Sequence, residues 1–212
     1  MTKRSKSSRQ WLADHEDDEY VKRARAEGYR SRASYKLLEI DDKFHVLKPG
    51  AVVVDLGAAP GGWSQVAAAR TGERGKILAL DILEMRPIHG VTVIQGDFTE
   101  EGPLQALIAL AGDSGVDLVI SDMAPNLSGM KDIDQPRSMY LAELAHDFAV
   151  RVLRKDGALL VKCFEGEGIN VIRQLFRSGF ERVTNFKPRA SRTTSREIYL
   201  LGRGFKGGKH NH

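Results

Sequence analysis

The strongest constraint in this chain is an alternation. Short apolar runs rich in β-branched residues are separated by segments with apolar residues at helical spacing. AVVVDLG (51–57), KILALD (76–81), VTVIQGD (91–97), VDLVISD (116–122) and ALLVKCF (158–164) read as buried parallel strands. GGWSQVAAAR (61–70), PLQALIALA (103–111), RSMYLAELAHDFAVRVL (137–153) and NVIRQLFRSG (170–179) read as helices, the last starting from an Asn170 cap and stopping at Gly179. Upstream, ASYKLLEIDDKFH (33–45) places Leu37, Ile40 and Phe44 at helical spacing, and Lys48-Pro49-Gly50 turns the chain into the first strand. Strand–helix units in series imply an open parallel sheet covered by helices on both faces. RVTNFKP (182–188) and REIYLLGRGF (196–205) follow each other with only a loop between. They are expected to pair antiparallel, because a parallel return needs a long crossover. The expected fold is α/β, with a mostly parallel seven-stranded sheet whose last strand is antiparallel.

A chain of 212 residues with 42% hydrophobic and 28% charged side chains suits one compact domain and excludes wholesale disorder. We expect a polar, partly disordered tail over 1–28, the domain over 29–205 and a flexible tail over 206–212. The single cysteine, Cys163, excludes an intramolecular disulfide and a cysteine-rich zinc site. The six histidines show no metal-ligand spacing, so no metal is expected. The apolar runs are far shorter than the roughly 20 residues that span a bilayer, so no membrane partner is expected. MTKRSKSSRQ leads into the acidic DHEDDEY (14–20) instead of an apolar stretch, so the expected compartment is the cytoplasm. Net charge is only +4, but its placement is uneven. Lys22, Arg23, Arg25, Arg30, Arg32 and Lys36 crowd one end, and Lys187, Arg189, Arg192, Arg196, Arg203, Lys206 and Lys209 the other. Such a distribution fits a nucleic-acid footprint; solvated surface charge is the bland alternative.

Ligands of open α/β sheets bind beyond the carboxyl ends of the strands. Four strands end in acids, Asp55, Asp81, Asp97 and Asp122, and the fifth carries Lys162 near its end. The first loop, Asp55-Leu-Gly-Ala-Ala-Pro-Gly-Gly-Trp63, is neither G-x-G-x-x-G nor a P-loop, which disfavours pyrophosphate ligands such as NAD or ATP. Gly57 and Gly61 allow close backbone approach, Asp81 suits ribose hydroxyls and Asp97 an adenine amine. A glycine-lined pocket with these acids describes S-adenosyl-L-methionine. Trp63 is expected to touch that cofactor in part, whereas Asp55 suits a structural role in the turn. Cys163 reads as packing on the opposite sheet face from Lys162.

DLGAAPGGWSQ (55–65), SDMAPNLSG (121–129), LLVKCFEG (159–166), SRASYKL (31–37) and SREIYLL (195–201) together resemble the FtsJ/RrmJ type of ribose 2′-O-methyltransferases over about residues 28–205. The resemblance implies a Rossmann-like S-adenosylmethionine-dependent methyltransferase fold. It also implies a Lys-Asp-Lys-Glu tetrad that falls on Lys36, Asp122, Lys162 and Glu197, with Asp122 also bordering the cofactor. The short length resembles the bacterial branch that methylates a uridine ribose in large-subunit ribosomal RNA. The implied partner is then ribosomal RNA or the large ribosomal subunit, acted on by a monomer.

The chemistry asks for these residue types. A ribose hydroxyl is a poor nucleophile and must lose its proton before attacking a sulfonium methyl in line. Lys162 is the expected base, although an ordinary lysine titrates near ~10.4 and a useful base needs about 7–8. Lys36 and the sulfonium favour the neutral amine, while Asp122 and Glu197 oppose it and are expected to orient. In the alternative, Lys162 stays charged and stabilises alkoxide. Rival substrates are transfer RNA and a messenger cap. Rival classes are a non-catalytic RNA-binding assembly factor and, more remotely, a nicotinamide dehydrogenase.

Overall fold

The structure is a computed structural model that describes residues 18–125 and 129–207. Seven strands, β1 (Val52–Leu56), β2 (Lys76–Asp81), β3 (Val91–Gln95), β4 (Val116–Ser121), β5 (Leu153–Phe164), β6 (Phe180–Phe186) and β7 (Glu197–Phe205), form one sheet. Their order is β3-β2-β1-β4-β5-β7-β6. The first five pair in parallel, and β7 runs antiparallel to both β5 and β6. The helices are α1 (Glu19–Glu27), α2 (Ser34–Phe44), α3 (Gly62–Thr71), α4 (Glu101–Ala111), α5 (Lys131–Val152) and α6 (Ile169–Gly179). Among the described residues, no helix is long and apolar enough to cross a membrane.

Strand alternation divides the core in two. Val54, Leu56, Leu78, Leu80, Val119 and Val161 point to one face, under Leu107 of α4, Phe148 of α5 and Phe176 of α6. Val53, Ile77, Leu118, Ile120 and Leu160 point to the other, under Leu37 and Ile40 of α2 and Trp63 and Val66 of α3. Each such side chain contributes roughly 1.5–3 kcal/mol by leaving water. Cys163 packs with the first group. Lys162, one residue earlier, projects to the second face, where α2 lies.

Several elements differ from the sequence expectation, among them α5, which starts at Lys131 and not at Arg137, and three with a visible local cause. α1 falls within the segment expected to be a tail. It forms because Asp18 Oδ1 accepts the Tyr20 N–H at 3.0 Å, Val21 and Ala24 are buried, and Gly28 at φ 78° stops it. β5 starts at Leu153 instead of Ala158, with a register shift between Val116 and Leu118. Exposed Arg154, Lys155 and Asp156 hide this extension from an apolar pattern. The cap of α6 is Gly168, in the left-handed region at φ 82°, and not Asn170. Asn170 lies inside the first turn, where its Oδ1 accepts from Arg173 Nη1 at 3.0 Å.

One buried polar group sits far from the strand ends. His146 of α5 packs with Phe176 and Phe180, at ring distances of 5.6 and 6.2 Å. Its Nδ1 is 3.7 Å from Asp147 Oδ1, so neither ring nitrogen has a hydrogen-bond partner among the described residues. Burial holds its pKa below the usual 6.5, against the pull of Asp147. As pH falls, the unfolded chain takes the proton before the folded one does. The stability tied to neutral His146 is complete above the unfolded value and is lost below it. His146→Leu should therefore gain melting temperature relative to wild type when pH drops from about 8 to about 5.5. An unchanged difference across that range would remove His146 as the source.

Candidate active site

The parallel strands place their carboxyl ends along one edge, and the reversed β7 returns to it. Asp81 is the last residue of β2, and Asp122 follows the last residue of β4. Glu197, the first residue of β7, pairs with Phe164 at the end of β5, and Lys162 pairs with Tyr199. Lys36 comes from α2, which lies over this end of the second core face. The four side chains expected to form a tetrad are thus brought together, although they are spread over residues 36 to 197.

They form two ion pairs. Lys162 Nζ is 3.0 Å from Asp122 Oδ1 and 2.5 Å from the Asp122 main-chain oxygen. Lys36 Nζ contacts both oxygens of Glu197, at 2.8 and 2.9 Å. The Tyr199 hydroxyl joins the pairs, 2.7 Å from Asp122 Oδ1 and 3.3 Å from Glu197 Oε1. Burial alone would raise the Asp122 pKa, but Lys162, Lys36 and the bonds from Tyr199 and Lys162 hold it below the usual carboxylate range. Burial, followed by the two carboxylates, pushes the Tyr199 phenol well above 10, so it keeps its proton and acts as a hydrogen-bond donor. Tyr199 was not singled out from the sequence. The signal was present: in SREIYLL it stands two residues after Glu197, so strand alternation puts both on one face.

Beside Asp122 lies a cavity of about 370 Å³, bordered by Gly57, Asp81, Asp97, Met123 and Leu141. Gly57 is required here: its φ is +72°, and a Cβ would stand 2.2 Å from Met123 Cγ. Asp81 accepts the Ala59 N–H at 2.9 Å and the Leu83 N–H at 2.8 Å, which ties the glycine loop to β2. Asp97 Oδ1 accepts both the backbone N–H and the hydroxyl of Thr99, and these bonds hold its pKa down. Gly61 and Trp63, expected at the cofactor, do not border this cavity. Gly61 caps α3. Trp63 is 3% exposed, donates its indole N–H to the Ala33 carbonyl at 2.8 Å, and packs 5.6 Å from the Tyr199 ring. It backs Tyr199 from the core. A larger open cleft of about 1040 Å³ lies beyond the glycine turn, by Tyr29, Gln65 and His89. It contains no member of the tetrad, and Arg30 there donates to the carbonyls of Pro60, Arg86 and Pro87.

Beneath the glycine loop, Asp55 is 1% exposed. Its Oδ2 accepts from Ser64 Oγ at 2.6 Å, while Oδ1 has no hydrogen-bond partner among the described residues. Burial pushes its carboxyl up to about 7; Ser64 opposes this, and the charges of Asp122 and Asp81 add to it.

A model of the FtsJ-like methyltransferase family matches residues 29–205. The ribosomal RNA large subunit methyltransferase E of Pseudomonas aeruginosa is 58% identical over 204 residues, covering 96% of this chain and 99% of the relative. That of Alkalilimnicola ehrlichii is 58% identical over 203 residues, covering 96% and 97%. A crystal structure from Plasmodium falciparum, provisionally named a ribosomal RNA methyltransferase, superposes with TM-score 0.78 at 32% identity, covering 85% of this chain and all of that one.

The raised Asp55 carboxyl has a thermodynamic consequence. Between the ordinary value of 3.8 and about 7 the folded state keeps a proton that the unfolded chain has released. Its contribution to stability is complete below the lower value and is lost as pH rises through the upper one. Asp55→Asn, which stays neutral, should become more stable relative to wild type in thermal unfolding as pH rises from about 4 to 8. A difference that does not vary with pH would show that Asp55 is ionised when folded.

Proposed function

Because the chain belongs to the FtsJ-like methyltransferase family, we propose that it methylates a uridine ribose 2′-hydroxyl of large-subunit ribosomal RNA, on the assembled subunit, using S-adenosylmethionine. The observation that carries this reading is the pair of buried Lys–carboxylate contacts beside a cavity bordered by Gly57, Asp81 and Asp97. The donor set fits the methyl donor: backbone can approach closely at Gly57, Asp81 suits a ribose diol, and Asp97 keeps Oδ2 for an adenine amine. When bound, S-adenosylmethionine supplies a methyl carbon on a positively charged sulfur, which leaves as a neutral thioether.

The chain's own residues then have distinct tasks. Lys162 Nζ meets the substrate hydroxyl and accepts its proton as the oxygen–carbon bond forms. Asp122 anchors that amine through a carboxylate and a carbonyl oxygen, which fixes its direction of approach. Glu197 holds Lys36 through both oxygens, and Lys36 supports the substrate ribose or an adjacent phosphate. The basic residues toward both ends of the chain supply sequence-independent contact with RNA phosphates. A second reading is favoured by the two Asp122 oxygens within 3.0 Å of Lys162, acceptors that suit an ammonium. There Lys162 stays charged and stabilises developing alkoxide. The pH profile separates them: a base makes kcat climb between about pH 6 and 10, and a permanent cation leaves it flat.

The direct test is transfer of labelled methyl to large subunits that lack ribose methylation, with naked ribosomal RNA and transfer RNA alongside. Subunits should be labelled, and Lys162→Ala should lower the rate by about 10²–10⁴-fold. Labelling of transfer RNA alone would keep the chemistry and overturn the substrate. No labelling of any RNA, despite cofactor binding, would favour the non-catalytic alternative.

A further inference from the structure

The loop between β6 and β7 contributes none of the four charged side chains, yet it is tied down with unusual thoroughness. Glu39 of α2 accepts the backbone N–H groups of Arg189 at 2.6 Å and Ala190 at 2.9 Å. Arg32 donates to the Ala190 carbonyl at 2.5 Å and pairs with Asp18, the cap of α1. Lys187 Nζ donates to the Ser195 carbonyl at 2.6 Å, closing the loop on itself. The loop presents two hydroxyls to Glu197: Ser195 Oγ accepts its backbone N–H at 3.1 Å, and one other reaches its carboxylate. Ser191, 5% exposed, donates from Oγ to Glu197 Oε1 at 2.7 Å.

These bonds close a ring on one helix. Lys36 and Glu39 are three residues apart on α2, a spacing that puts them on neighbouring positions of one face. Lys36 holds Glu197, Glu197 accepts from Ser191, and the backbone beside Ser191 is held by Glu39. The helix that delivers the amine also sets the loop that orients the amine's partner. A carboxylate turns easily about its terminal torsion, which is broad and roughly two-fold. Lys36 contacts both oxygens and resists that rotation only as long as its flexible stem stays in place. Tyr199, at 3.3 Å, contributes a longer bond and spends its one proton on Asp122 at 2.7 Å. Ser191 is the short, buried donor that selects one orientation.

We infer that Ser191 is a positioning residue for methyl transfer: its hydroxyl fixes the plane of the Glu197 carboxylate and thereby the Lys36 ammonium, with Glu39 clamping the loop behind it. The inference rests on the methyl-transfer reading above. It concerns the step in which Lys36 meets the substrate, so it predicts a loss in turnover and not in cofactor binding.

The experiment compares wild type, Ser191→Ala, Ser191→Thr, Glu39→Gln and the Ser191→Ala/Glu39→Gln double variant as full chains. It measures methyl transfer to undermethylated large subunits at saturating S-adenosylmethionine, together with cofactor Kd and melting temperature. A misplaced group can cost up to about 10²-fold, so Ser191→Ala should lower kcat by about 10–100-fold with KM and cofactor Kd within about twofold. Ser191→Thr, which keeps the donor, should recover most of the rate. Glu39→Gln should cause a smaller loss, and the double variant should be no slower than Ser191→Ala, because both act through one carboxylate. Unchanged kcat in Ser191→Ala overturns the inference. So does a loss matched by collapse of melting temperature or cofactor affinity, failure of threonine to rescue, or multiplicative losses in the double variant. If wild type transfers no methyl to any RNA, the functional reading falls and the inference with it. That result is distinct from the one in which wild type and Ser191→Ala transfer equally well.

Discussion

The site depends on the reversal of β7. Four charged side chains lie at one end of the sheet with only 8–18% of each exposed, and a buried charge without a partner costs several kcal/mol. They persist because each ammonium meets a carboxylate. If β7 ran parallel to β5, Glu197 would start at the opposite edge, about 25–30 Å away for a nine-residue strand. Lys36 would then be buried without its acceptor. Placing β7 between β5 and β6 in the antiparallel sense also sets Tyr199 opposite Lys162, where its hydroxyl reaches both carboxylates. Fold and charge arrangement are mutually required: the apolar faces build the sheet, and the ion pairs make its polar end tolerable.

Much of this was legible in the sequence, because the signals were local. AVVVDLG, KILALD and VDLVISD carry strand period, burial and a terminal acid within seven residues or fewer, and β1, β2 and β4 appear where those runs lie. Antiparallel pairing of β6 and β7 followed from loop length alone. What was hidden was set by distant partners. Trp63 stands in a glycine-rich turn and looks ligand-facing until α2 and Tyr199 are seen to cover it. α1 is polar in sequence and becomes a helix through Val21, Ala24 and the Asp18 cap. Ser191 has no sequence signal, since its role depends on loop closure by Glu39, about 150 residues earlier in the chain.

The family match over residues 29–205 and the site geometry are different kinds of observation. The match rests on residue identity along the chain. The geometry rests on distances between residues that the chain holds far apart, such as Lys36 and Glu197. A degenerate member of the fold could keep the sheet and lose this pairing. Here all four side chains remain in contact range, and Gly57 lets the first loop pass against Met123 where a Cβ would collide.

The two ion pairs have a consequence at long range. With both lysines charged the two pairs sum to zero, and with Lys162 neutral, as its role as a base requires, the centre carries one negative charge; in neither state does it offer positive charge at its mouth. The chemical centre therefore exerts no pull on an approaching polyanion. On the proposed RNA reading, attraction falls to the arginines and lysines of α1 and the β6–β7 loop. Raising salt should weaken capture while leaving the local field at the reacting hydroxyl untouched. Recruitment and reaction are electrically insulated from one another, and each can be tuned by mutation without retuning the other.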